Sequence, residues 1–277
     1  MELAKSTYYA DPKVTPLEKE VWEADLRGKI EGIREEFPRT GYRMLLAHLK
    51  RNGFKIGERK LRSFIKKFNL QFKAKRRFVN TTDSNHNHEV HPNLIEELSI
   101  TGINQVWTAD ITYIRINNGF VYLAVILDLY SRMVIGWAIS KRIDGKLALS
   151  ALEMAIKRRK PTGGVIHHSD RGVQYLCGEY VAMLDQHGFH KSCSRKGNPY
   201  DNSWTESFMK TFKCDEVYMF NYETYLDVVE RTPQFIEEVY NKKRPHSALN
   251  YLTPNEFENK IKVDYQDQNQ VGPAMKL

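Results

Sequence analysis

Cysteine is scarce in this 277-residue chain: Cys177, Cys193 and Cys214 are the only three, far apart and with no C-x-x-C pair. That excludes a disulfide framework and the familiar structural zinc patterns. Apolar runs are short, and none approaches the roughly 18–20 residues that a membrane span needs. The first ten residues, M-E-L-A-K-S-T-Y-Y-A, lack the apolar core of a signal peptide. The expected compartment is therefore the cytoplasm. Acidic residues are missing from one region above all. Between Arg39 and Arg77 there are 14 basic residues and a single acidic one, Glu58.

What is present favours a folded, two-part protein. Hydrophobic residues make up 41% of the chain, enough for a sizeable core and too many for general disorder. The net charge of +8 is unevenly spread. Residues 1–80 hold 20 Lys and Arg against 10 Asp and Glu, whereas the remainder hold 22 against 24. Basic charge confined to one segment is the electrostatic footprint of a polyanion, here double-stranded DNA. A nucleoid-associated location follows.

The basic segment reads as helices. Trp22, Leu26, Ile30 and Ile33 share one face of a helix over 15–36, with Thr15 as cap, Pro16 at the first position and Glu18 closing a capping box. A second helix carries Met44, Leu45, His48 and Leu49 and stops at Asn52-Gly53. A third carries Leu61, Phe64, Ile65 and Phe68. Two short helices about a glycine turn, the second rich in Arg and Lys, fit a helix-turn-helix. Arg59, Lys60, Arg62, Lys66 and Lys67 then line the DNA side. The expected domain spans 1–80, followed by a linker over 81–100. His86, His88 and His91 in the polar part of that linker read as a solvated loop rather than a metal site.

From residue 101 the pattern changes. Gln105–Ile116 and Phe120–Tyr130 are rich in aromatic and β-branched residues and flank an Asn117-Asn118-Gly119 turn, which predicts a hairpin. Met133–Ile139 predicts a third strand, Gly145–Arg158 a helix capped by Asp144, Val165–His168 a fourth strand, Glu179–His187 a helix and His190–Ser194 a fifth strand. Asp201 or Asn202 caps a helix carrying Glu206, and Tyr222–Asn241 predicts a long helix interrupted near Pro233. The order implies an α/β domain over 101–258 with a mixed five-stranded sheet flanked by helices, then a flexible tail over 259–277.

Three carboxylates stand out. Asp110 lies in mid-strand, where an unpaired charge costs several kcal/mol and calls for a cation. Asp170 follows the fourth strand. Glu206 comes after it with 35 residues between them and shares a helical face with Asn202, Lys210 and Lys213. Carboxylates on separate elements suit divalent ions that prefer oxygen ligands, and two such ions suit phosphodiester chemistry.

The blocks W-T-A-D-I-T-Y, H-S-D-R-G-V-Q-Y and D-N-S-W-T-E-S-F-M-K-T-F-K, with Y-N-K-K-R-P-H-S-A-L-N-Y-L-T-P-N-E-F near the end, resemble DDE transposases and retroviral-type integrases. Closest is the orfB product of the insertion-sequence-three family. The resemblance implies an RNase H-like core and metal-dependent DNA cleavage and strand transfer with Mg²⁺ or Mn²⁺, two ions per site. It makes Asp110, Asp170 and Glu206 the metal triad. Lys210 and Lys213 become contacts to the element's end, and Arg171 and Asn202 join the expected DNA contacts. Arg244 and His246 fall in the R-P-H block, where a DNA contact and a loop tied down by local hydrogen bonds both stay open. A homo-oligomer is implied, and an upstream orfA product or fusion is an expected partner. A non-catalytic DNA-binding regulator and a nuclease of the same fold are the competing readings.

Overall fold

The computed structural model describes residues 15–71, 91–195 and 199–270. Residues 72–90 lie outside it, and with them most of the basic exit, the first part of the expected linker, His86 and His88. The chain divides into two compact units, within residues 1–74 and 75–277.

The described residues of the first unit form three helices: α1 (Pro16–Glu36), α2 (Tyr42–Arg51) and α3 (Glu58–Lys67). The capping box forms as the sequence predicts. Glu18 N–H donates to Thr15 Oγ1 at 3.2 Å, and Thr15 N–H donates to the Glu18 carboxylate at 2.8 Å. The core is Leu26, Ile30 and Ile33 from α1, Leu45 and Leu49 from α2, and Leu61, Phe64 and Ile65 from α3.

The second unit is built on a sheet of order β3-β2-β1-β4-β5. The strands are β1 (Val106–Ile116), β2 (Gly119–Asp128), β3 (Val134–Ser140), β4 (Ile166–Ser169) and β5 (His190–Cys193). The first three run antiparallel, while β4 and β5 add in parallel. The near-continuous apolar run of β2 has a simple cause: both faces are covered. Ala124 and Ile126 face a cluster with α4 (Gly145–Arg159) and α5 (Gly178–Gln186). Leu123, Val125 and Leu127 face the opposite cluster with Phe208, Phe212, Phe235 and Tyr240. Helix α4 lies so close to β3 that a methyl at Gly136 would overlap the Ala151 carbonyl. The other longer helices among the described residues are α6 (Ser203–Phe212), α7 (Tyr225–Gln234) and α8 (Pro254–Gln270). Among the described residues no helix is long and apolar enough to cross a membrane.

Two expectations are corrected here. Residues 92–100 are not linker. Ile95 is buried against Val106 and Leu129 with Leu98 and Ile100 beside it, and Cys193 N–H donates to the Pro92 carbonyl. Nor is the chain a loose tail from 259. Thr253 and Glu256 cap each other, Phe257 packs on Tyr130, and Glu258 is buried in an ion pair with Arg159, so α8 continues through 270. These anchors are partners distant in sequence, which helical periodicity does not reveal. The region after α6 also differs from a plain helix. It passes through a wide turn at Lys213–Val217, and a second one, Phe235–Tyr240, follows Pro233.

Candidate active site

The site lies where β1 and β4 part company. The parallel ladder pairs Val106 with Ile166 and Thr108 with His168, then stops. Two residues further along each chain stand Asp110 and Asp170. Both therefore stand at the open end of the ladder, near enough for the charge of Asp170 to raise the Asp110 carboxyl. Alternation along β1 puts Thr108, Asp110 and Ile114 on one face, toward α6.

Helix α6 is pinned to that face by side chains. Asn202 Nδ2 donates to the Ala109 carbonyl at 3.3 Å. Thr205 Oγ1 lies 2.8 Å from both Thr108 Oγ1 and Asn202 Oδ1. Glu206 is the next residue and is exposed at the mouth. Two anchors, on Thr108 and Ala109 just before Asp110, therefore bring the third carboxylate toward the first.

The electrostatics agree. Burial first, then the negative charges of Asp170 and Glu206, push the Asp110 carboxyl up to about 8, against the opposing pull of the Ile111 amide and of Lys213. Desolvation also raises Glu206. Asp170 accepts a hydrogen bond from Gly172 N–H at 2.9 Å. Among the described residues, no three His, Cys, Asp or Glu side chains already stand at metal-ligand spacing. The donor set nevertheless fits a hard divalent cation: three carboxylates, all oxygen, with burial and like charge both opposing their ionisation.

The cations around the site divide into two kinds. Lys210 is exposed one turn beyond Glu206, with no ion-pair partner among the described residues. Lys213 is half-buried, with Nζ 4.3 Å from the Tyr113 ring centroid. Burial lowers its pKa while the charge of Asp110 raises it, so its charge serves the carboxylate cluster.

Four of the expected DNA contacts are held inside the protein. Asn202 is buried and spends its amide on β1. Arg171 Nε donates to the Ser194 carbonyl at 2.9 Å, tying the loop after β4 to the end of β5. Arg244 forms an ion pair with Asp215, and the two side chains are 16% and 5% exposed. His246 packs edge-on against Tyr240, its backbone N–H donates to the Leu252 carbonyl, and burial lowers its pKa to about 3. The contacts of the R-P-H block among the described residues are thus local to the protein.

In the helical unit all five predicted α3 cations are exposed. They split into two faces. Lys60 lies 4.2 Å from the Trp22 ring centroid and Lys67 pairs with Glu23, so both turn toward α1. Arg59, Arg62 and Lys66 repeat at helical spacing on another face, with Arg62 over the Tyr42 ring at 4.7 Å.

Sequence reasoning passed over Thr108, Thr205 and Gly172. Each sits within a quoted block, but small residues carry no chemical signature until their neighbours are known. His168 is also placed: its ring nitrogens meet Ser192 and Ser194 Oγ at 2.9 and 3.1 Å, joining β4 to β5.

Two integrase core domain models match the chain, over residues 101–199 and 187–254. The chain is 37% identical to the 31 kDa protein of insertion element IS600 from Shigella sonnei over 263 residues, 93% of this chain and 96% of that one. It is 38% identical to transposase InsF for insertion sequence IS3A from Escherichia coli K12, over 80% of this chain and 77% of that protein. The catalytic core domain of BIV integrase aligns with a TM-score of 0.43 at 19% identity, covering 58% of this chain and 99% of that chain. With a mixed five-stranded sheet flanked by helices, two adjoining integrase-core matches and an end-to-end relative at this identity, the chain belongs to the IS3-family transposases and carries their RNase H-like integrase core.

Proposed function

We propose that this protein cuts DNA at the ends of its insertion sequence and joins the freed 3′ ends to a target, using Asp110, Asp170 and Glu206 to hold Mg²⁺ or Mn²⁺. One observation carries the reading: the Asp110 carboxyl is pushed to about 8 by burial and by the other two carboxylates. Such a cluster is unfavourable without a cation and well placed to receive one.

Bound there, a pair of divalent ions makes the attacking oxygen nucleophilic and stabilises the leaving oxygen. The chain's own residues do the rest. Asn202 and Thr205 hold Glu206 over β1, and the Gly172 amide fixes one Asp170 oxygen. Lys213 offsets part of the negative charge. Lys210 faces outward to take a phosphate of the element's end. A water first cleaves the strand, and the exposed 3′-hydroxyl then attacks a target phosphodiester. One phosphodiester bond is exchanged for another in that second step, so no ATP is needed. Joining two ends calls for more than one copy of the chain, and the upstream orfA product is the expected partner.

The helical unit, residues 1–80 in this reading, docks duplex DNA through Arg59, Arg62 and Lys66 as a helix-turn-helix, with 101–258 as the catalytic core. Arg59→Ala with Lys66→Ala is expected to flatten the salt dependence of DNA binding by roughly 0.9 per lost phosphate contact in log–log slope. An unchanged slope in filter binding across a salt series removes α3 from the docking surface.

Gly172→Ala gives a local test. Its φ of −65° is ordinary, so only space matters. The added methyl would stand 2.9 Å from Asp170 Oδ1 and 2.8 Å from Gln174 Oε1. Displacing a metal-holding carboxylate by a fraction of an ångström or more is expected to slow cleavage by about 100-fold. DNA affinity should not change. Wild-type cleavage by this variant would show that Asp170 need not be held there.

The deciding experiment is incubation of the chain with labelled DNA carrying the element's own inverted repeats, with Mg²⁺ and with EDTA. Mg²⁺-dependent nicking followed by joined products is expected. Binding without nicking would mean a regulator, and nicking without joined products a nuclease.

A further inference from the structure

Tyr175 is the one buried residue near the carboxylates whose polar atom has no role in what has been described. Its ring belongs to the apolar core with Trp107, Ala109 and Tyr180. Its hydroxyl is shielded from solvent and has no hydrogen-bond partner among the described residues. A buried hydroxyl left unpaired costs about 1–3 kcal/mol, so its persistence asks for a reason. The obvious neighbour is taken: His167 Nε2 is engaged by Tyr180 Oη at 2.8 Å.

The surroundings say what remains. Tyr175 Cδ2 and Asp170 Oδ1 lie 3.6 and 2.9 Å from the same point, the position a Cβ of Gly172 would occupy, so the ring edge and the carboxylate flank the same space. Both Asp110 and Asp170 act electrostatically on the phenol, which burial and these two charges together hold well above its ordinary range. It therefore stays a neutral donor at any working pH. Lys213 acts on Asp110 while its Nζ rests over the Tyr113 ring.

We propose that Tyr175 is a positioning residue of this site: its hydroxyl donates a hydrogen bond to the Asp110–Asp170 carboxylate pair when the two close on a divalent ion. The proposal rests on the carboxylate site described above. The hydrogen bond would hold the oxygen that the ion does not use and orient its partner, as outer-layer donors do at metal sites generally. The hydroxyl is unsatisfied in the ion-free protein so that it is satisfied in the loaded one.

The test is Mn²⁺ binding to the full chain, followed by loss of the free-ion EPR signal, together with thermal unfolding in EDTA. Tyr175→Phe is expected to weaken Mn²⁺ binding by about tenfold or more. Its unfolding temperature in EDTA should match wild type or exceed it, because no hydrogen bond is lost. Tyr180→Phe is the control. It removes the bond to His167, so it should lower the unfolding temperature and leave Mn²⁺ affinity unchanged. Wild-type affinity in Tyr175→Phe overturns the proposal. So does a lowered unfolding temperature or failure to fold in EDTA, which would mean the hydroxyl is already paired. Equal weakening by Tyr180→Phe also overturns it, since the effect would then be general loosening of the core. Asp110→Asn separates this from failure of the site itself: if that variant binds Mn²⁺ like wild type, the carboxylate reading falls, whatever Tyr175 does.

Discussion

Asp110→Asn, Asp170→Asn and Glu206→Gln are each expected to cut Mg²⁺-dependent cleavage and joining by ~10³-fold or more while DNA binding stays near wild type. The reasoning is that the three act as one unit. Asp110 and Asp170 extend a parallel register that ends at Thr108 and His168, and Thr205 delivers Glu206 to the same place. Removing one ligand leaves the others unable to hold the ion in the geometry the reaction needs. Full activity in any single variant would sink the triad.

Asp110 adds a second readout that needs no substrate. Burial and the neighbouring carboxylates push its carboxyl up to about 8 in the folded chain, from an ordinary value of 3.8. A raised pKa means that ionisation opposes folding. The penalty is absent below about pH 4, grows as pH rises, and is complete above about pH 8. At about 1.4 kcal/mol per pKa unit it amounts to a few kcal/mol at neutral pH. In EDTA, then, wild type should lose stability between about pH 4 and pH 8. Asp110→Asn should lose less and should melt several degrees higher than wild type at pH 8, with little difference at pH 4. Adding Mg²⁺ should narrow the gap by stabilising wild type. A variant that loses activity and gains ion-free stability is the mark of a functional carboxylate. Equal melting temperatures at pH 8 would mean that the carboxyl is solvated and the crowding is absent.

Arg244→Ala carries the second large effect, on stability rather than chemistry. The guanidinium is 16% exposed and pairs with Asp215, whose side chain is 5% exposed. Truncating one partner leaves a buried carboxylate without its counter-ion, a loss of about 3 kcal/mol at the low end of the usual range. The low end applies because Asp215 has further contacts. For a unit of this size that is a fall of roughly 6–12 °C in melting temperature. Arg244→Met with Asp215→Leu should recover much of it, since two apolar side chains replace the pair without stranding a charge. If Arg244 instead served DNA, Arg244→Ala would melt like wild type and bind DNA more weakly.

Arg244 shows why part of the candidate site resisted a reading from residue types. Arginine and histidine in a short motif beside a catalytic core look like phosphate ligands, and the same residue types also make buried ties. What distinguishes the two is the partner. Asp215 is 29 positions away, in a wide helical turn that periodicity does not announce. Asn202 misleads in the same way. It shares a helical face with Glu206, but that face meets β1 at its first turn and solvent at its second, so Asn202 is buried and Lys210 is exposed. Tyr175 was in plain view within H-S-D-R-G-V-Q-Y, yet an aromatic near a candidate site aspartate is ordinary core until its hydroxyl is found without a partner among the described residues.

Local chemistry, by contrast, was legible. The Thr15 box, the Asn117-Asn118-Gly119 turn, the two-sided apolar run of β2 and the strand and helix order all follow from interactions within a few residues or from a simple period. The exposed cations of α3 were legible too, because charge is costly to bury and its placement is therefore informative.

Sequence alone determined which elements form, which residues are charged, and that three acids lie on three separate elements. The tertiary structure alone decided which of those charges face solvent and which face each other. It ended the β1–β4 ladder two residues before the aspartates, seated α6 on β1 through Thr205 and Asn202, and turned Arg244 and His246 inward. The physical reason is range. Capping, turns and periodicity act over a few residues, whereas the fate of a buried charge depends on a partner that only the closed chain brings near.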